Sequence, residues 1–317
     1  MLVGSATGGV ADRFAALRQH QRNGKRSPHK PLLVLLALGR LARSGSSSLP
    51  WSAAEPVLAR LIAEFGPPSR TPRAQSAAYP FTRLRADGVW VLDRDVPMDL
   101  VGPLAERQVA GRFETSVEDA LRADPALAMS VTRMLVLSNF PDTVAPDVLE
   151  AAGLDPDAVL GGPDAGPPGR AQARRRDPGW RVAVLRAWDR QCALCGYDGQ
   201  LAGAAAGLDA AHVRWFSFGG PDDLDNGLAL CTLYHKLFDL GALGLDPGMR
   251  VQVSAAFTAR TAAGRALYEL DGRPPSPRPG TCVPAAGHVS WHRRQVFKGT
   301  PLRADPSPAA SEAGGAR

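Results

Sequence analysis

The sequence predicts an α+β protein with two domains. Its 317 residues exceed what one average hydrophobic core holds, since a domain has about 150 residues as a soft rule. Apolar residues recur at helical spacing through the first half, a Gly/Pro/Asp stretch turns into an arginine run, and short strand and helix patterns return beyond it. We therefore assign a first domain to 1–155, a linker to 156–178, a second domain to 179–302 and a disordered tail to 303–317.

The first domain is predicted to be mostly helical. Apolar residues at helical spacing indicate a helix in 10–22, and "HKPLLVLLALGRLARSG" (29–45) indicates a strongly apolar helix that ends at its glycine. We expect these two helices to pack together. A third helix is predicted after Ser52, with Glu55 completing a capping box, and it stops at the Gly-Pro-Pro of 66–68.

A small sheet and two further helices complete the predicted first domain. The segment "SRTPRAQSAAYPF" is rich in arginine and turn-forming residues. The next residues, 82–93, indicate a β-hairpin that turns at Asp87-Gly88. Helical patterns follow at 114–125 and 126–140.

Charge and composition favour an anionic partner in a reducing compartment. The formal net charge is +6 and the sequence pI is about 9.5, which raises the local concentration of polyanions such as nucleic acid, although a solvated basic face is an alternative. Four cysteines in so long a chain argue against a disulfide framework. No membrane-spanning segment, export signal or internal repeat is evident, so we expect a cytoplasmic protein without a membrane partner.

Three residues of the second domain stand in a fixed order: His212, Asn226 and His235. Their segments "GLDAAHVRW", "DDLDNGLAL" and "LYHKLFD", with "WHRRQVF" further on, resemble the HNH nuclease family and its McrA-type restriction domains over roughly residues 180–300. The resemblance implies a ββα-metal fold and hydrolysis of DNA phosphodiesters.

Phosphodiester hydrolysis needs a base to activate water and a cation to neutralise the developing charge. His212 suits the base, because the pKa of a histidine is ordinarily about 6.5. The resemblance implies that Asn226 orients the loop carrying His212 and that His235 binds Mg²⁺ or Mn²⁺. Asp239, at i+4 from His235, is a candidate ligand or outer partner, and Asp209, the nearest acid before His212, is a further candidate ligand of the divalent ion. The alternative is that both histidines are ordinary structural residues.

Three cysteines resemble the structural zinc site of the zinc-stapled HNH subfamily: Cys192, Cys195 and Cys231. The fourth ligand is expected at position 234, where this sequence has tyrosine. Cys282, His288 or a water molecule is then needed to complete a tetrahedral site. The alternative is that the cysteines are reduced and simply buried.

Two segments of the first domain, "SPHKPLLVLLALGRL" and "SAAYPFTRL", resemble the sulfur-binding domain of phosphorothioate-dependent restriction endonucleases. That family recognises DNA in which sulfur replaces a non-bridging phosphate oxygen. Sulfur is more polarisable and less strongly hydrated than oxygen, so an apolar cup favours it, and Tyr79 with Pro80 is the implied cup. His29 and Lys30 match the family's basic pair, although many relatives have arginine at the second position.

Other arginines are candidate contacts to phosphate or guanine: Arg22, Arg70, Arg73 and the run 174–176. The alternatives are that Tyr79-Pro80 is a turn before a strand, that His29-Lys30 is only a helix start, and that the arginine run is a solvated linker.

These features together predict a modification-dependent (type IV) restriction endonuclease that binds phosphorothioate-modified double-stranded DNA and cuts nearby. One HNH site cuts one strand, so a homodimer or successive nicking is expected. Three alternatives remain: an HNH enzyme that reads methylated bases, a DNA-binding regulator with an inactive HNH domain, and an unselective phage-type HNH nickase.

Overall fold

A computed structural model describes the backbone of residues 5–18, 27–69, 71–161, 177, 179–276 and 280–303, and their side chains apart from those of 5–8. The predictions for Arg22, Arg70, the arginine run and nearly all of the tail lie outside the described residues. The described part is about half helical, with small antiparallel sheets.

The first domain contains a three-stranded sheet among helices. Its helices are α1 (Ser5–Ala15), α2 (His29–Ser44), α3 (Trp51–Phe65), α4 (Arg73–Arg83), α5 (Val101–Glu106), α6 (Thr115–Ala123), α7 (Pro125–Asn139), α8 (Ala145–Ala151) and α9 (Pro156–Leu160). Its strands are β1 (Leu49–Pro50), β2 (Trp90–Leu92) and β3 (Ala110–Phe113), in the antiparallel order β1-β3-β2. The alternation of buried residues along β3 turns one face of this sheet toward the helices.

α2 is the central helix of the first core. Its residues from Pro31 to Gly39 are all buried, and it ends at Gly45, whose φ of 70° is the left-handed cap that glycine adopts without strain. α1 and α2, which were predicted to pack together, contribute to one core, and each of them contacts α7 more extensively than it contacts the other.

Two local predictions for the first domain are wrong. α3 begins at Trp51 without a side-chain cap, so Ser52 and Glu55 do not form a capping box. α4 continues into a 3₁₀ turn at Leu84–Asp87, so residues 82–93 are not a hairpin, and Tyr79 lies within a helix rather than in a turn before a strand. Buried side chains at helical spacing explain the helix: Ala77, Ala78, Phe81 and Leu84.

β2 is a strand, as predicted, but it pairs with β3 in the register Trp90↔Phe113. Trp90 lies edge-on between Phe81 and Phe113, with ring centroids 5.7 and 5.9 Å away. Gly111 makes this arrangement possible, because a Cβ atom there would lie 2.4 Å from the Trp90 ring. The aromatic packing, a long-range effect, therefore selects the strand partner.

The second domain is built on a β-hairpin followed by a helix. Its strands are β4 (Gln200–Leu201), β5 (Ala204–Ala205), β6 (Leu208–His212), β7 (Gly227–Cys231), β8 (Leu243–Leu245) and β9 (Val251–Val253). Its helices are α10 (Trp180–Ala187), α11 (Thr232–Asp239), α12 (Ala262–Arg265) and α13 (Ala286–Gln295). β6 and β7 pair antiparallel from Leu208↔Cys231 to His212↔Gly227, and α11 follows β7 directly. This is a ββα unit.

The two domains touch each other. α7 packs against the 3₁₀ turn Phe216–Phe218 of the second domain, and Leu240 packs against the first core. The Lys298 ammonium donates hydrogen bonds to the carbonyls of Ala63 and Gly66, at 3.3 and 2.5 Å. Folded structure of the first domain extends to α9, at the start of the predicted linker, because Val159 is buried in the first core.

No helix in the described part of the chain has both the length and the apolar character needed to span a bilayer.

Candidate active site and recognition surface

His212 stands at the end of β6, where Trp180, Phe216 and Asp222 surround its ring. Its ring stacks on Trp180, with centroids 3.8 Å apart and planes 17° apart. Its Nε2 lies 2.8 Å from the Asp222 carboxylate, whose other oxygen accepts a hydrogen bond from the backbone N–H of Asp177. In the tautomer that donates from Nε2 to Asp222, the lone pair is on Nδ1. Asp222 is a functional candidate that sequence reasoning missed.

Asn226 holds the loop between β6 and β7. Its side chain is fully buried; Oδ1 accepts from the Arg214 N–H at 2.8 Å, and Nδ2 donates to the carbonyls of Arg214 and Pro221 at 3.0 and 2.9 Å. An amide offers an acceptor and two donors in one plane, so asparagine suits this position. Gly220 completes the fit, because a Cβ there would lie 1.7 Å from the Arg214 carbonyl oxygen.

His235, on α11, lies between two carboxylates. Its Nδ1 is 3.4 Å from Asp209 Oδ2, and its Nε2 is 3.3 Å from Asp239 Oδ2. Burial by itself disfavours the charged ring, but the two aspartates outweigh it and raise the pKa of His235 to about 9. The hydrogen bond with His235 in turn lowers the pKa of Asp209.

The two carboxylates beside His235 differ in environment. The Asp239 side chain is 2% exposed and accepts hydrogen bonds from Trp215 Nε1, at 2.8 Å, and from the Thr143 hydroxyl. The Asp209 side chain is 40% exposed and faces a cleft of about 500 Å³. Because they face different nitrogens of one ring, the two aspartates do not converge on a single point with His235.

That cleft brings the main predicted residues together. His212, His235 and Asp209 line it, with Trp180 and Arg181 from α10. Asp142 and Thr143, which belong to the first domain, form part of the wall. The cleft therefore presents a base candidate, a carboxylate–imidazole pair and a guanidinium within one opening between the domains.

A second cluster of potential metal ligands contains Cys192, Cys195 and Cys231. Their Sγ atoms lie within 4.8 Å of one another, and they are the only such three-residue group in the described part of the chain. A hydrogen bond from the Cys231 thiol outweighs the effect of burial and, with help from backbone N–H groups, lowers the pKa of Cys192 to about 5. A thiolate is the form that binds zinc.

The expected substitutes for the fourth zinc ligand do not join this cluster. Cys282 is exposed and His288 lies 4.0 Å from the Asp225 carboxylate, and neither belongs to the three-cysteine group. Tyr234 lies near the thiols. Burial, together with the charges of the nearby cysteines, raises the pKa of Tyr234. Within the described residues, the cluster supplies three protein ligands.

The basic pair predicted for sulfur recognition differs from expectation. Lys30 forms an ion pair with Asp87, and these side chains are only 15% and 3% exposed. The Arg18 backbone N–H also donates to Asp87, at 3.0 Å. Lys30 is therefore largely neutralised inside the domain instead of standing free at a rim. His29 begins α2, with its Nδ1 3.4 Å from the Ser27 hydroxyl.

Tyr79 and Pro80 lie inside α4, where Tyr79 is half-buried and Pro80 is buried. The Arg83 guanidinium carbon is 4.9 Å from the centre of the Tyr79 ring, a cation–π distance. Arg83 also binds the Asp99 carboxylate through two hydrogen bonds of 2.7 and 2.5 Å. Sequence reasoning missed Arg83. Its position four residues after Tyr79, on the same face of a helix, was the signal that could have indicated it. Arg73 is exposed at the first position of α4.

The fold is thus a mostly helical first domain joined to a second domain with a ββα unit, and one family model matches each domain. The DNA sulfur-binding domain of the ScoMcrA-like type matches residues 8–157, and the HNH endonuclease family matches residues 192–246. The chain combines a ScoMcrA-like DNA sulfur-binding domain with an HNH domain, which confirms the predicted α+β class and both resemblances.

Similar solved structures include three of two McrA proteins, ScoMcrA and SprMcrA. The sulfur-binding domain of ScoMcrA complexed with phosphorothioated DNA is 22% identical, over 45% of this chain and 94% of that one, with a TM-score of 0.40. The corresponding SprMcrA domain is 24% identical over 47% and 94%, with a TM-score of 0.39. The type IV phosphorothioation-dependent restriction endonuclease ScoMcrA is 14% identical over 83% and 97%, with a TM-score of 0.37. A search of curated proteins found no match.

Proposed function

We propose that this protein is a modification-dependent (type IV) restriction endonuclease. Its first domain binds double-stranded DNA that carries a phosphorothioate, and its second domain hydrolyses phosphodiesters nearby. The observation that carries the proposal is the cleft where His212, His235 and Asp209 meet, beside a domain that matches the sulfur-binding family over residues 8–157.

His212 is the proposed general base. Asp222 fixes the ring by accepting from Nε2, and stacking on Trp180 sets its plane. Nδ1 then takes the proton of the attacking water, and the neighbouring carboxylate stabilises the imidazolium that forms. Asn226 supports this geometry by holding the loop that begins at Arg214, two residues after the base. Arg181, in the wall of the cleft, is placed to attract the anionic phosphodiester.

Asp209 and His235 are the proposed ligands of a divalent cation, Mg²⁺ or Mn²⁺. One exposed carboxylate and the imidazole nitrogen facing it would hold such an ion. When bound, the cation would neutralise charge on the phosphate and on the leaving oxygen. Asp239 is proposed to hold the ring of His235 rather than to bind the ion, because it is buried and faces the other nitrogen of that ring.

The cysteine cluster is proposed to bind a structural zinc ion. Three thiols within 4.8 Å fit tetrahedral zinc, with a water or a further ligand in the fourth position. The cluster joins the segment after α10 to the start of α11, so zinc would hold His235 in place relative to α10. Elemental analysis tests this: we expect about one zinc per chain in the wild type and loss of zinc, with a lower melting temperature, in Cys195→Ser.

The sulfur atom is proposed to contact the half-buried Tyr79 ring and Pro80 on α4. Arg83 stacks on that ring, and His29 begins α2, which packs against α4. These residues combine apolar surface for sulfur with a guanidinium that Asp99 holds over the Tyr79 ring, where it can still donate to an anionic phosphorothioate. Arg73, exposed at the start of the same helix, is a candidate phosphate contact. Lys30 is proposed to act indirectly: its ion pair with Asp87 holds the start of α2, and with it His29, in place.

The test uses full-length protein and pairs of duplexes that differ only in one phosphorothioate. Because the recognition sequence is not known, the flanking bases are varied, and one moderate salt concentration is kept since phosphate contacts are salt-sensitive. We expect the His212→Ala variant to bind the sulfur-bearing duplex more tightly than the unmodified duplex. The wild type with Mg²⁺ or Mn²⁺ should cut only the sulfur-bearing duplex. Equal binding in every sequence context contradicts sulfur recognition. A preference for methylated duplexes, included as a third set, supports the methyl-reading alternative instead.

The same experiment addresses the other predictions. Binding without metal-dependent cleavage by the wild type points to a regulator with an inactive HNH domain, and equal cleavage of all duplexes points to an unselective nickase. The homodimer remains a prediction, which sedimentation of the free protein and of its DNA complex tests.

A further inference from the structure

The loop between α7 and α8 of the first domain reaches the nuclease cleft. Thr143, in this loop, donates a hydrogen bond from its hydroxyl to Asp239 Oδ2 and accepts one at its carbonyl from the Lys236 ammonium. Lys236 also forms an ion pair with Asp147, at the start of α8. Residues 143 and 147 of one domain therefore contact the helix of the other that carries His235.

We propose that Thr143 is a positioning residue for the nuclease site: its hydroxyl fixes the Asp239 carboxylate, and Asp239 fixes the ring of His235. The proposal rests on the proposed function of His235 as a metal ligand. It assigns to the recognition domain a direct part in building the nuclease site, beyond delivering that site to modified DNA.

The hydrogen bonds around Asp239 support this role. Oδ1 accepts from Trp215 Nε1 at 2.8 Å, while Oδ2 accepts from Thr143 and lies 3.3 Å from His235 Nε2. The oxygen that Thr143 holds is thus the one that faces the histidine. A carboxylate with a 2% exposed side chain gains little from water, so loss of the Thr143 donor leaves Oδ2 less well satisfied and its position relative to His235 less fixed.

Other contacts hold the domains together without Thr143. Lys298 bonds to the carbonyls of Ala63 and Gly66, α7 packs against the turn Phe216–Phe218, and Leu240 packs on the first core. Removal of one hydroxyl should therefore leave the domains docked. Its effect should appear at Asp239 and His235 instead.

Three full-length variants separate positioning from simple packing. Thr143→Val keeps the shape and removes the hydroxyl, whereas Thr143→Ser keeps the hydroxyl and removes a methyl group. Asp147→Asn is the matched control, because it weakens another contact between the same loop region and α11 without touching Asp239. Melting temperatures establish that each variant is folded.

The first readout needs neither metal nor DNA. In protein with ¹⁵N-labelled histidine and tryptophan, we expect Thr143→Val to shift the imidazole signals of His235 and the indole N–H signal of Trp215. Thr143→Ser and Asp147→Asn should leave both signals near their wild-type positions. Signals that stay unmoved in Thr143→Val, or that move equally in Thr143→Ser, overturn the proposal, since the hydroxyl then does not position the carboxylate.

The second readout is Mn²⁺ binding measured by calorimetry. We expect the dissociation constant to rise about tenfold in Thr143→Val, as for loss of an outer-shell partner, and to stay within about twofold in the other two variants. On sulfur-bearing duplexes kcat should fall while KM stays constant. Shifted signals in a protein whose wild type binds no Mn²⁺ would reject the metal site of the proposed function and still support the positioning role. Wild-type Mn²⁺ affinity retained in Thr143→Val overturns the coupling to the metal site.

Discussion

The proposed nuclease site and the proposed recognition surface differ in how their residues are assembled. His212, Asn226 and His235 belong to one ββα unit, in which a hairpin register and the following helix determine where each side chain lies. The recognition residues come from α2 and α4, which are far apart in sequence, and Lys30 is engaged by Asp87. Within one short supersecondary unit, the identity of a residue therefore indicates where its side chain lies. On helices that pack together, a residue that matches a family motif can instead be paired inside the domain, as Lys30 is.

The largest expected effect is on the rate of cleavage at the proposed nuclease site. His212→Ala should slow single-turnover cleavage by about 10²–10⁴-fold, the usual contribution of a general base, while duplex binding stays unchanged. His288→Ala is the matched control, since His288 pairs with Asp225 and does not line the cleft. Equal rates for His212→Ala and wild type contradict the assignment of the base.

The next effect concerns stability on the recognition side. Among the described residues, Lys30→Met leaves Arg18, at 3.7 Å, as the remaining cationic side chain paired with Asp87. We expect the free energy of unfolding to fall by about 3 kcal/mol, the lower end of the range for removing one partner of a buried pair. The double variant Lys30→Met/Asp87→Asn should recover part of this loss in denaturant titration. Unchanged stability with weakened DNA binding would instead show that Lys30 acts mainly on DNA.

These outcomes bear on what the sequence could predict. The apolar run of α2, the stop of α3 before two prolines and the ββα motif depend on local signals, so their positions were predictable. α4 was missed because arginines and turn-forming residues concealed a buried face that only its packing reveals. The hairpin was misplaced because β2 pairs with a strand about twenty residues further on, through aromatic contacts that no local pattern encodes.

The candidate site shows the same limit. The order of His212, Asn226 and His235 indicated the nuclease site, but nothing in the spacing distinguished Asp222 from Asp223 as the partner of the base. Nor did spacing indicate that Asp239 faces Thr143 of the other domain. Such pairings depend on loop conformation and domain docking, which the sequence specifies only through the whole fold.

A smaller effect on the cleavage rate is expected at Asp222, the partner of the proposed base. Asp222→Asn keeps the shape of the residue but removes the charge that stabilises the imidazolium of His212. We expect the cleavage rate to fall on the order of tenfold, less than for loss of the base itself. Asp223→Asn is the control, because it changes the adjacent carboxylate, whereas His212 is bonded to Asp222. A larger loss in Asp223→Asn than in Asp222→Asn contradicts the assigned pairing.

The smallest expected effect tests the recognition side at the sulfur atom. Tyr79→Ala removes the ring on which Arg83 stacks and exposes the proposed cup to water. We expect the preference for the sulfur-bearing duplex to fall by about tenfold or less, because one aromatic contact contributes roughly 0.5–1.5 kcal/mol beyond its buried area. Tyr79→Phe retains the ring and should retain the preference. Competition binding with both duplexes measures the ratio directly. An equal loss of affinity for both duplexes would make Tyr79 a support of α4 and leave sulfur discrimination to other residues.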